Sequence, residues 1–409
     1  MEENSLHMET FKAAWEIIDE HYYDRNFQGL DWDQVYHAHQ PAVEAADDME
    51  TVRMIIREML GKLGQSHFSL IPRSAGISPG PGSGVDKQRS VRATDTGIKL
   101  IEQENDFLVF RVRADSVADE AGIRPGFEIL EVDGRRLAEI AEIFSLISVP
   151  ERLRKFFLLQ EVEKRLRGFP GEEKTVLYRD ETGEEQSVSL TLKPSSLQWS
   201  RNFANMPAQP LELELRKLNG GIHYIRFNFF TFDLMKRLLD AIREAEETDA
   251  RGIIFDLRGN TGGIGSMATV LIGHLTREKL NLGTMHLRNG HVNYLAFPQP
   301  DGFYGKVAVL VDKNTASTGE IFASGLQEAG RARIFGEQTA GAVLPSMFRE
   351  LPNGDLLQYV VGDFRTDDDK PLESRGVIPD ERISVTRKAL LENRDPALRA
   401  AGQWILKDI

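Results

Sequence analysis

Gly252-Ile253-Ile254-Phe255-Asp256-Leu257-Arg258-Gly259-Asn260-Thr261-Gly262-Gly263 is the stretch whose reading decides the fold. Residues 252–257 form a short, nearly continuous apolar run, the pattern of a strand covered on both faces. The run ends in glycines, which let the backbone approach a neighbour closely and turn its N–H groups outward. Donors held in that way suit a site where negative charge develops; a plain strand-to-helix turn has the same composition. The glycine spacing does not match G-x-G-x-x-G, which weighs against a dinucleotide role. On either side the pattern repeats, with a strand at 221–227, an amphipathic helix at 233–248, an apolar strand at 306–311 and a helix from about 317 to 329. Apolar strands alternating with helices predict an α/β layer fold around a buried sheet.

Toward the N-terminus the pattern changes twice. Residues 8–63 read as helical, with Phe11, Trp15, Ile18 and Tyr22 at helical spacing and a second apolar run from Val52 to Leu60. A stretch rich in Gly, Pro and Ser from Ser74 to Gly84 reads as a linker. From Thr96 to Leu192 short strands dominate: 98–100, 107–112, 127–132, 174–179 and 186–192. Asp133-Gly134 and Glu181-Thr182-Gly183-Glu184 supply turn signals, a short helix is expected at 118–121, and a long helical run at 138–166. The expected organisation is multidomain: an N-terminal helical domain at 1–75, a linker at 76–95, a β-rich domain at 96–194 and an α/β domain at 195–409. A chain of 409 residues exceeds what one hydrophobic core usually serves.

Composition narrows the function classes. With 41% hydrophobic and 28% charged residues the chain reads as soluble and globular. The formal charge of -13 would repel a polyanion, and no local basic stripe is visible, so nucleic acid is not an expected partner. No apolar stretch reaches the roughly 18–20 residues of a spanning helix. The absence of cysteine removes thiolate catalysis, disulfides and Cys-ligated metal centres. Asp367-Asp368-Asp369 lacks the Gly and Glu of a calcium loop and reads as a solvated charge run. No metal or organic cofactor is expected. Met1 to Ser5 lacks the basic and apolar regions of a signal peptide, so a cytoplasmic location is expected unless an export segment was trimmed. Oligomeric state is not legible.

A second loop, Asp312-Lys313-Asn314-Thr315-Ala316-Ser317-Thr318-Gly319-Glu320, also runs from strand to helix. It places Ser317 at a helix N-terminus, where a serine is by default an N-cap. Five segments then occur in order: 255–263, Thr315-Ala316-Ser317 to Glu320-Ile321-Phe322-Ala323, Gly330-Arg331-Ala332, Gly336 to Gly341, and Gly376-Val377-Ile378-Pro379-Asp380. Together they resemble the carboxy-terminal processing (tail-specific) serine protease family, whose catalytic core resembles the crotonase (ClpP-like) fold. The segment from Val112 to Gly134 resembles a PDZ domain of the bacterial protease type. With the helical N-terminus, the resemblance covers nearly the whole chain.

The resemblance implies a serine endopeptidase acting on extended or unfolded polypeptide. Ser317 would be the nucleophile, and amides of Gly262 or Gly263 and of Thr318 the oxyanion hole. In Ser–Lys members a lysine follows the serine by 25 positions; here that position is Ala342. A serine hydroxyl needs a base beside it. The tricorn-like branch uses a histidine from the N-terminal region preceded by a serine, plus a glutamate near the C-terminal motif, and Ser66-His67 and Glu373 match that pattern. His67 is then general base, Ser66 orients its imidazole and Glu373 polarises the Ser66 hydroxyl. The PDZ resemblance implies strand addition of a peptide at Gly97, Ile98 and Lys99; Lys99 itself reads either as a carboxylate partner or, in preference, as a solvated strand lysine. A different class is also open: a non-catalytic protein binding peptide or hydrophobic ligand on the same scaffold, which Ala342 would suit.

Overall fold

The computed structural model describes residues 2–73, 93–145, 147, 149–203 and 206–407. Most of the expected linker at 76–95 lies outside them. Three helices open the chain: α1 (Glu2–His21), α2 (Trp32–Glu44) and α3 (Met49–Gly61). Asp31 and Asp48 cap the last two by accepting the N–H groups of Gln34 and Thr51. A short strand, β1 (Ser69–Ile71), follows; no sequence pattern announces it.

The segment from 98 to 191 is an antiparallel sheet with helices on one side. Its strands are β2 (Ile98–Gln103) and β3 (Asp106–Val112), then, after helix α4 (Val117–Glu120), β4 (Glu128–Val132), and, after helices α5 (Leu137–Ser145) and α6 (Glu151–Arg165), β5 (Glu173–Arg179) and β6 (Glu185–Thr191). They pair in that order, closing over a core that includes Ile98, Leu100, Val109, Ile129, Leu159 and Val162. The single helical run expected at 138–166 is two helices. Pro150 stands at the start of α6, and a proline there cannot donate to the turn before it.

The remainder is built on a six-stranded sheet. Strand β7 (Leu213–Leu218) pairs antiparallel with β8 (Ile222–Phe227). Then β8, β9 (Gly252–Asp256), β12 (Lys306–Val311), β13 (Ala332–Gly336) and β17 (Glu381–Arg382) run parallel. Between β8 and β9 lies α7 (Phe232–Glu247); between β9 and β12 lie α8 (Ser266–Gly273) and the hairpin of β10 (Leu280–Leu287) and β11 (Gly290–Ala296). Helix α9 (Thr318–Glu328) links β12 to β13, and β14 (Ser346–Glu350), β15 (Leu356–Val360) and β16 (Gly362–Arg365) precede β17. Both faces are covered, one by α7, α8 and α9, the other by α11 (Pro396–Leu406), which follows α10 (Arg387–Leu391). Double coverage is why Ile253, Ile254 and Phe255 are all fully buried and why 252–257 reads as one apolar run.

Two contacts bind these parts together. The core of the N-terminal helices is not closed by those helices alone: Phe11, Ile18, Tyr22, Val52 and Ile56 pack with Leu344, Leu351, Leu357 and Val360 from the β14–β15 region. Strand β1 extends the same pairing, with Ser69, Leu70 and Ile71 opposite Gln358, Leu357 and Leu356. The β-rich unit docks on the large sheet through Arg111, whose guanidinium reaches Asp256 at 2.8 Å and the Tyr224 hydroxyl at 3.1 Å. Burial opposes ionisation of Asp256, but Arg258 and Arg111 overcome it and hold the carboxyl well below the usual range. Ile101 and Leu108 meet Val385 and Leu390 beside this contact. Among the described residues no helix is long and apolar enough to cross a membrane.

Leu357 is fully buried in the core shared by the helices and the β14–β15 hairpin. Leu357→Ala should therefore cost about 2–5 kcal/mol by lost transfer and cavity terms. Urea unfolding followed by circular dichroism checks it; a midpoint equal to that of the native chain would mean that the two segments do not depend on one another.

Candidate active site

Ser317 lies where β12 gives way to α9, and the loop before it is pinned to the glycine loop after β9. Asp312 Oδ1 accepts the N–H groups of Gly259 and Asn314, each at 3.0 Å. Thr315 Oγ1 donates to the Leu257 carbonyl at 2.8 Å, and Ala316 N–H donates to the Asn260 carbonyl at 3.0 Å. Ser317 is the N-cap of α9, but with φ 53° and ψ −121° rather than the extended angles usual for that position. A non-glycine residue there is strained, and the surrounding hydrogen bonds hold it. Its side chain remains partly exposed.

The glycines supply room and one donor. At Gly262 a Cβ would stand 2.5 Å from the Ser317 Cβ, so only glycine permits the approach. The Gly262 N–H, however, donates to Asn260 Oδ1 at 2.9 Å. Gly262 is thus corrected from candidate donor to spacer. Its carbonyl accepts the Phe230 N–H at 2.7 Å, and because a trans peptide points its two polar groups in opposite directions, the Gly263 N–H is turned away from Phe230. Thr318 Oγ1 fixes the Gly263 carbonyl at 2.8 Å. Among the described residues nothing accepts the N–H groups of Gly263 or Thr318. Two unclaimed amides beside a serine are the donors an oxyanion requires.

The structure brings Ser66, His67 and Glu373 together across 307 positions of sequence. Glu373 accepts the Ser66 N–H at 2.9 Å through Oε1 and the Ser66 hydroxyl at 2.9 Å through Oε2. The Ser66 hydroxyl has only one proton, so toward His67 Nδ1, at 2.7 Å, it accepts. That fixes the tautomer with hydrogen on Nδ1 and leaves Nε2 as the basic nitrogen. His67 Nε2 makes no hydrogen bond to a described residue, Ser317 included. Burial pushes the imidazole down to about 4 and the Glu373 carboxyl up to about 7, the latter against donation from Val343 and Ser66. His67 and Ser374 both have left-handed backbone, with φ 61° and 60°.

One peptide group connects this relay to Ser317. The Ala342 carbonyl accepts the Ser317 N–H at 2.8 Å, and the N–H of the same peptide unit, on Val343, donates to Glu373 Oε2 at 2.9 Å. The position that carries lysine in Ser–Lys members is therefore a backbone bridge here. Its methyl group is buried with Ala316, Ala340 and Leu153, leaving no space for a base.

Glu320 has no assigned role in the sequence reading, yet it is fully buried beside Ser317. Its carboxylate accepts the Thr339 hydroxyl and the N–H groups of Gly341, Ala342 and Ser317, the last three at 2.8, 3.0 and 3.1 Å. Burial raises it to about 7 despite these donors. The Ser317-x-x-Glu320 spacing is a capping-box signature, and that signal could have found it. Glu328 and Glu337 are also raised chiefly by burial but take no part in these contacts.

The residues expected to receive a peptide on the β-rich unit are arranged differently from the expectation. Ile98 is buried in the sheet core, and a Cβ at Gly97 would strike Ser116. The Leu100 N–H at the edge of β2 donates to Glu163 Oε1 at 3.1 Å, and the Lys99 ammonium lies 3.8 Å from Glu163 Oε2. Lys99 is therefore partnered by a carboxylate of the chain itself. Among the described residues no cluster of His, Asp or Glu could hold a metal ion.

Comparison with known proteins adds an independent view. The model for "Peptidase family S41" matches residues 221–383, and that for "Tricorn protease C1 domain" matches residues 7–61. A carboxyl-terminal-processing protease of Synechocystis sp. is 25% identical over 389 residues, covering 94% of this chain and 82% of its own. Among solved structures, the photosystem II D1 C-terminal processing protease superposes with a TM-score of 0.62 at 20% identity, covering 93% of both chains. Mature CPAF gives 0.67 at 12% identity, over 99% of this chain and 96% of that one. These structural likenesses show the fold.

The imidazole of His67 should remain neutral, with its proton on Nδ1, as pH falls past the ordinary 6.5, titrating only near about 4. Nitrogen-15 NMR of the histidine ring checks both statements; a midpoint at or above 6.5 would contradict them. The unfolded chain protonates this imidazole near 6.5 and the folded chain does not, so its contribution to stability is lost as pH falls from about 6.5 toward about 4.

Proposed function

We propose that this chain, which belongs to peptidase family S41, is a serine endopeptidase of the carboxy-terminal processing type. It cleaves extended or unfolded polypeptide through an acyl-enzyme on Ser317, with a histidine rather than a lysine as base. The observation that carries this reading is the Glu373–Ser66–His67 relay, which commits Nδ1 to a hydrogen bond and leaves Nε2 free.

In this mechanism Nε2 of His67 takes the Ser317 proton as Oγ attacks the scissile carbonyl carbon. The carbonyl oxygen, now an anion, is held by the amides of Gly263 and Thr318. When the intermediate collapses, the C–N bond breaks and the imidazolium gives its proton to the departing amine, leaving an ester on Ser317. Water then attacks the ester, His67 again taking the proton, and the new C-terminus departs. Ionised Glu373 accepts from Ser66, which accepts from Nδ1–H, so the relay stabilises the imidazolium formed in each half. The parallel sheet with its covering helices, and the glycine loop facing a serine at a helix start, support a crotonase-like description of the core. The β-rich unit at 96–194 is read as PDZ-like, its docking by Arg111 at Asp256 supporting a role in presenting or gating substrate. The boundaries 1–75 and 195–409 describe the helical segment and the peptidase core that completes it.

Ser317→Ala should lower turnover of an unfolded protein substrate by roughly a thousandfold or more. A fluorophosphonate should label Ser317 in the native chain and fail to label it in His67→Ala. A folded chain that the probe leaves untouched would instead favour the non-catalytic scaffold.

The acidic limb of kcat/KM should fall as pH drops through about 7, because Glu373 is raised to that range and, once neutral, accepts the Ser66 hydroxyl more weakly and no longer stabilises the imidazolium by its charge. Glu373→Gln should abolish that limb. A limb unmoved by this substitution would assign it to another group.

A further inference from the structure

The turn that carries His67 is built without a backbone ladder. The last backbone bond before it runs from the Gly64 N–H to the Gly61 carbonyl at 3.0 Å, and the next pairing begins at Ser69, opposite Gln358. Between them, no backbone group of Gln65, Ser66, His67 or Phe68 bonds to another backbone group of a described residue. His67 also holds a left-handed φ of 61°, which costs a residue other than glycine free energy. Such a turn keeps its shape only through its side chains. Glu373 secures it at Ser66. The mechanism above gives no part to Gln65, the residue before.

The Gln65 carboxamide lies between two tyrosines. Its Oε1 accepts the Tyr22 hydroxyl at 2.5 Å, and its Nε2 donates to the Tyr23 hydroxyl at 3.1 Å. The Tyr22 ring is fully buried and packs with Tyr23, Phe27 and Phe68, at centroid distances of 4.9, 5.8 and 5.9 Å. Phe68 follows His67 directly in sequence. Tyr22 therefore grips the turn before the imidazole by a hydrogen bond and after it by packing. The tyrosines are fixed in their turn by the unit that carries Ser317. Arg288, between β10 and β11, donates through Nη1 to the carbonyls of Asp19 and Tyr22 at 2.7 and 3.2 Å. These carbonyls lie at the end of α1, where the helix offers no partner of its own. Beside it Asn289 Oδ1 accepts from Arg25 at 2.9 Å.

We propose that Gln65 is a positioning residue of the active site: its carboxamide, clamped by Tyr22 and Tyr23, holds the turn in the shape that keeps His67 Nδ1 on the Ser66 hydroxyl. For its catalytic consequence this rests on the peptidase reading and deepens it. A single anchor at Ser66 leaves the turn free to pivot about that residue; a second anchor, one residue away, removes the freedom. Small displacements of a base are costly, because proton transfer depends steeply on distance and alignment. The clamp gives the first helix a part in the chemistry beyond closing a core.

Two kinds of variant test it. Gln65→Met keeps the length of the side chain and removes both hydrogen bonds, whereas Tyr22→Phe with Tyr23→Phe removes both hydroxyls and keeps both rings. Circular dichroism checks that each chain is folded under assay conditions, and Tyr23→Phe alone, at a half-buried ring, gives the same test should Gln65→Met not fold. A fluorophosphonate should label Ser317 in each variant roughly tenfold or more slowly than in the native chain, and kcat should fall with KM within about twofold of native. The three groups act as one unit, so the triple variant should label no more slowly than Gln65→Met. Nitrogen-15 NMR should show the His67 ring passing from the single Nδ1–H form to a mixture of tautomers. A residue that merely stabilised the fold would lower the urea midpoint and leave labelling and tautomer native in the folded variant. That outcome would overturn the proposal, as would effects of the glutamine and tyrosine changes that simply add. If the native chain itself resists the probe, the peptidase reading falls and the tautomer decides alone: a retained Nδ1–H form in Gln65→Met overturns the clamp, and a mixed one supports it.

Discussion

The peptide group between Ala342 and Val343 is the constraint on which the rest depends. Its carbonyl holds the backbone of Ser317 and its N–H holds the carboxylate that orders Ser66 and His67. Those two polar groups are fixed rigidly relative to one another, so Ser317 and the Ser66–His67 pair are registered through a planar unit that has no rotamers to lose. A lysine side chain in the same place would be a base on a flexible stem. The chain uses the backbone of that residue instead and fills the side-chain space with apolar contacts from α6. Glu320 completes the arrangement by collecting the amides of Ser317, Gly341 and Ala342 on one carboxylate, which keeps the strained serine and the bridging segment in step.

Legibility in the sequence followed locality. The buried strand at 252–256 and the strand-to-helix turn at Ser317 were plain because both are set by short-range pattern: apolar continuity and a small residue before a helix. Ser66, His67 and Glu373 could be named only through resemblance, since nothing in their local pattern links residues 307 positions apart. The role of Asn260 was invisible for a different reason. Which of two adjacent glycine amides is free depends on where one side-chain oxygen points, and composition does not encode that. Strand β1 was missed because three residues are too few to show a period of two. The break at Pro150 was available to reading and was passed over, because apolar spacing on both sides continued as though the helix did.

The β-rich unit touches the glycine loop and the Ser317 loop at their roots. Arg111 reaches Asp256, where the glycine loop begins, and Lys313, just ahead of Ser317, donates to the Glu102 carbonyl at the end of β2. Asp256 is also gripped by Arg258, which extends to Asp395, the cap of the last helix. The position of that unit and the shape of the glycine loop therefore share side chains. The Glu163 carboxylate at the edge of β2 keeps the unit's own strand edge occupied in this arrangement.

The shared core of the first helices and the β14–β15 hairpin has a consequence for biosynthesis. The groups that would perform hydrolysis come from positions 67, 263, 317 and 373, and the first of them is placed by packing against residues near 357. A ribosome must release the chain through residue 373 before all four of these groups can be aligned. The growing chain is inert by topology, so a protein built to cut unfolded substrates is harmless to itself during the interval when it is one.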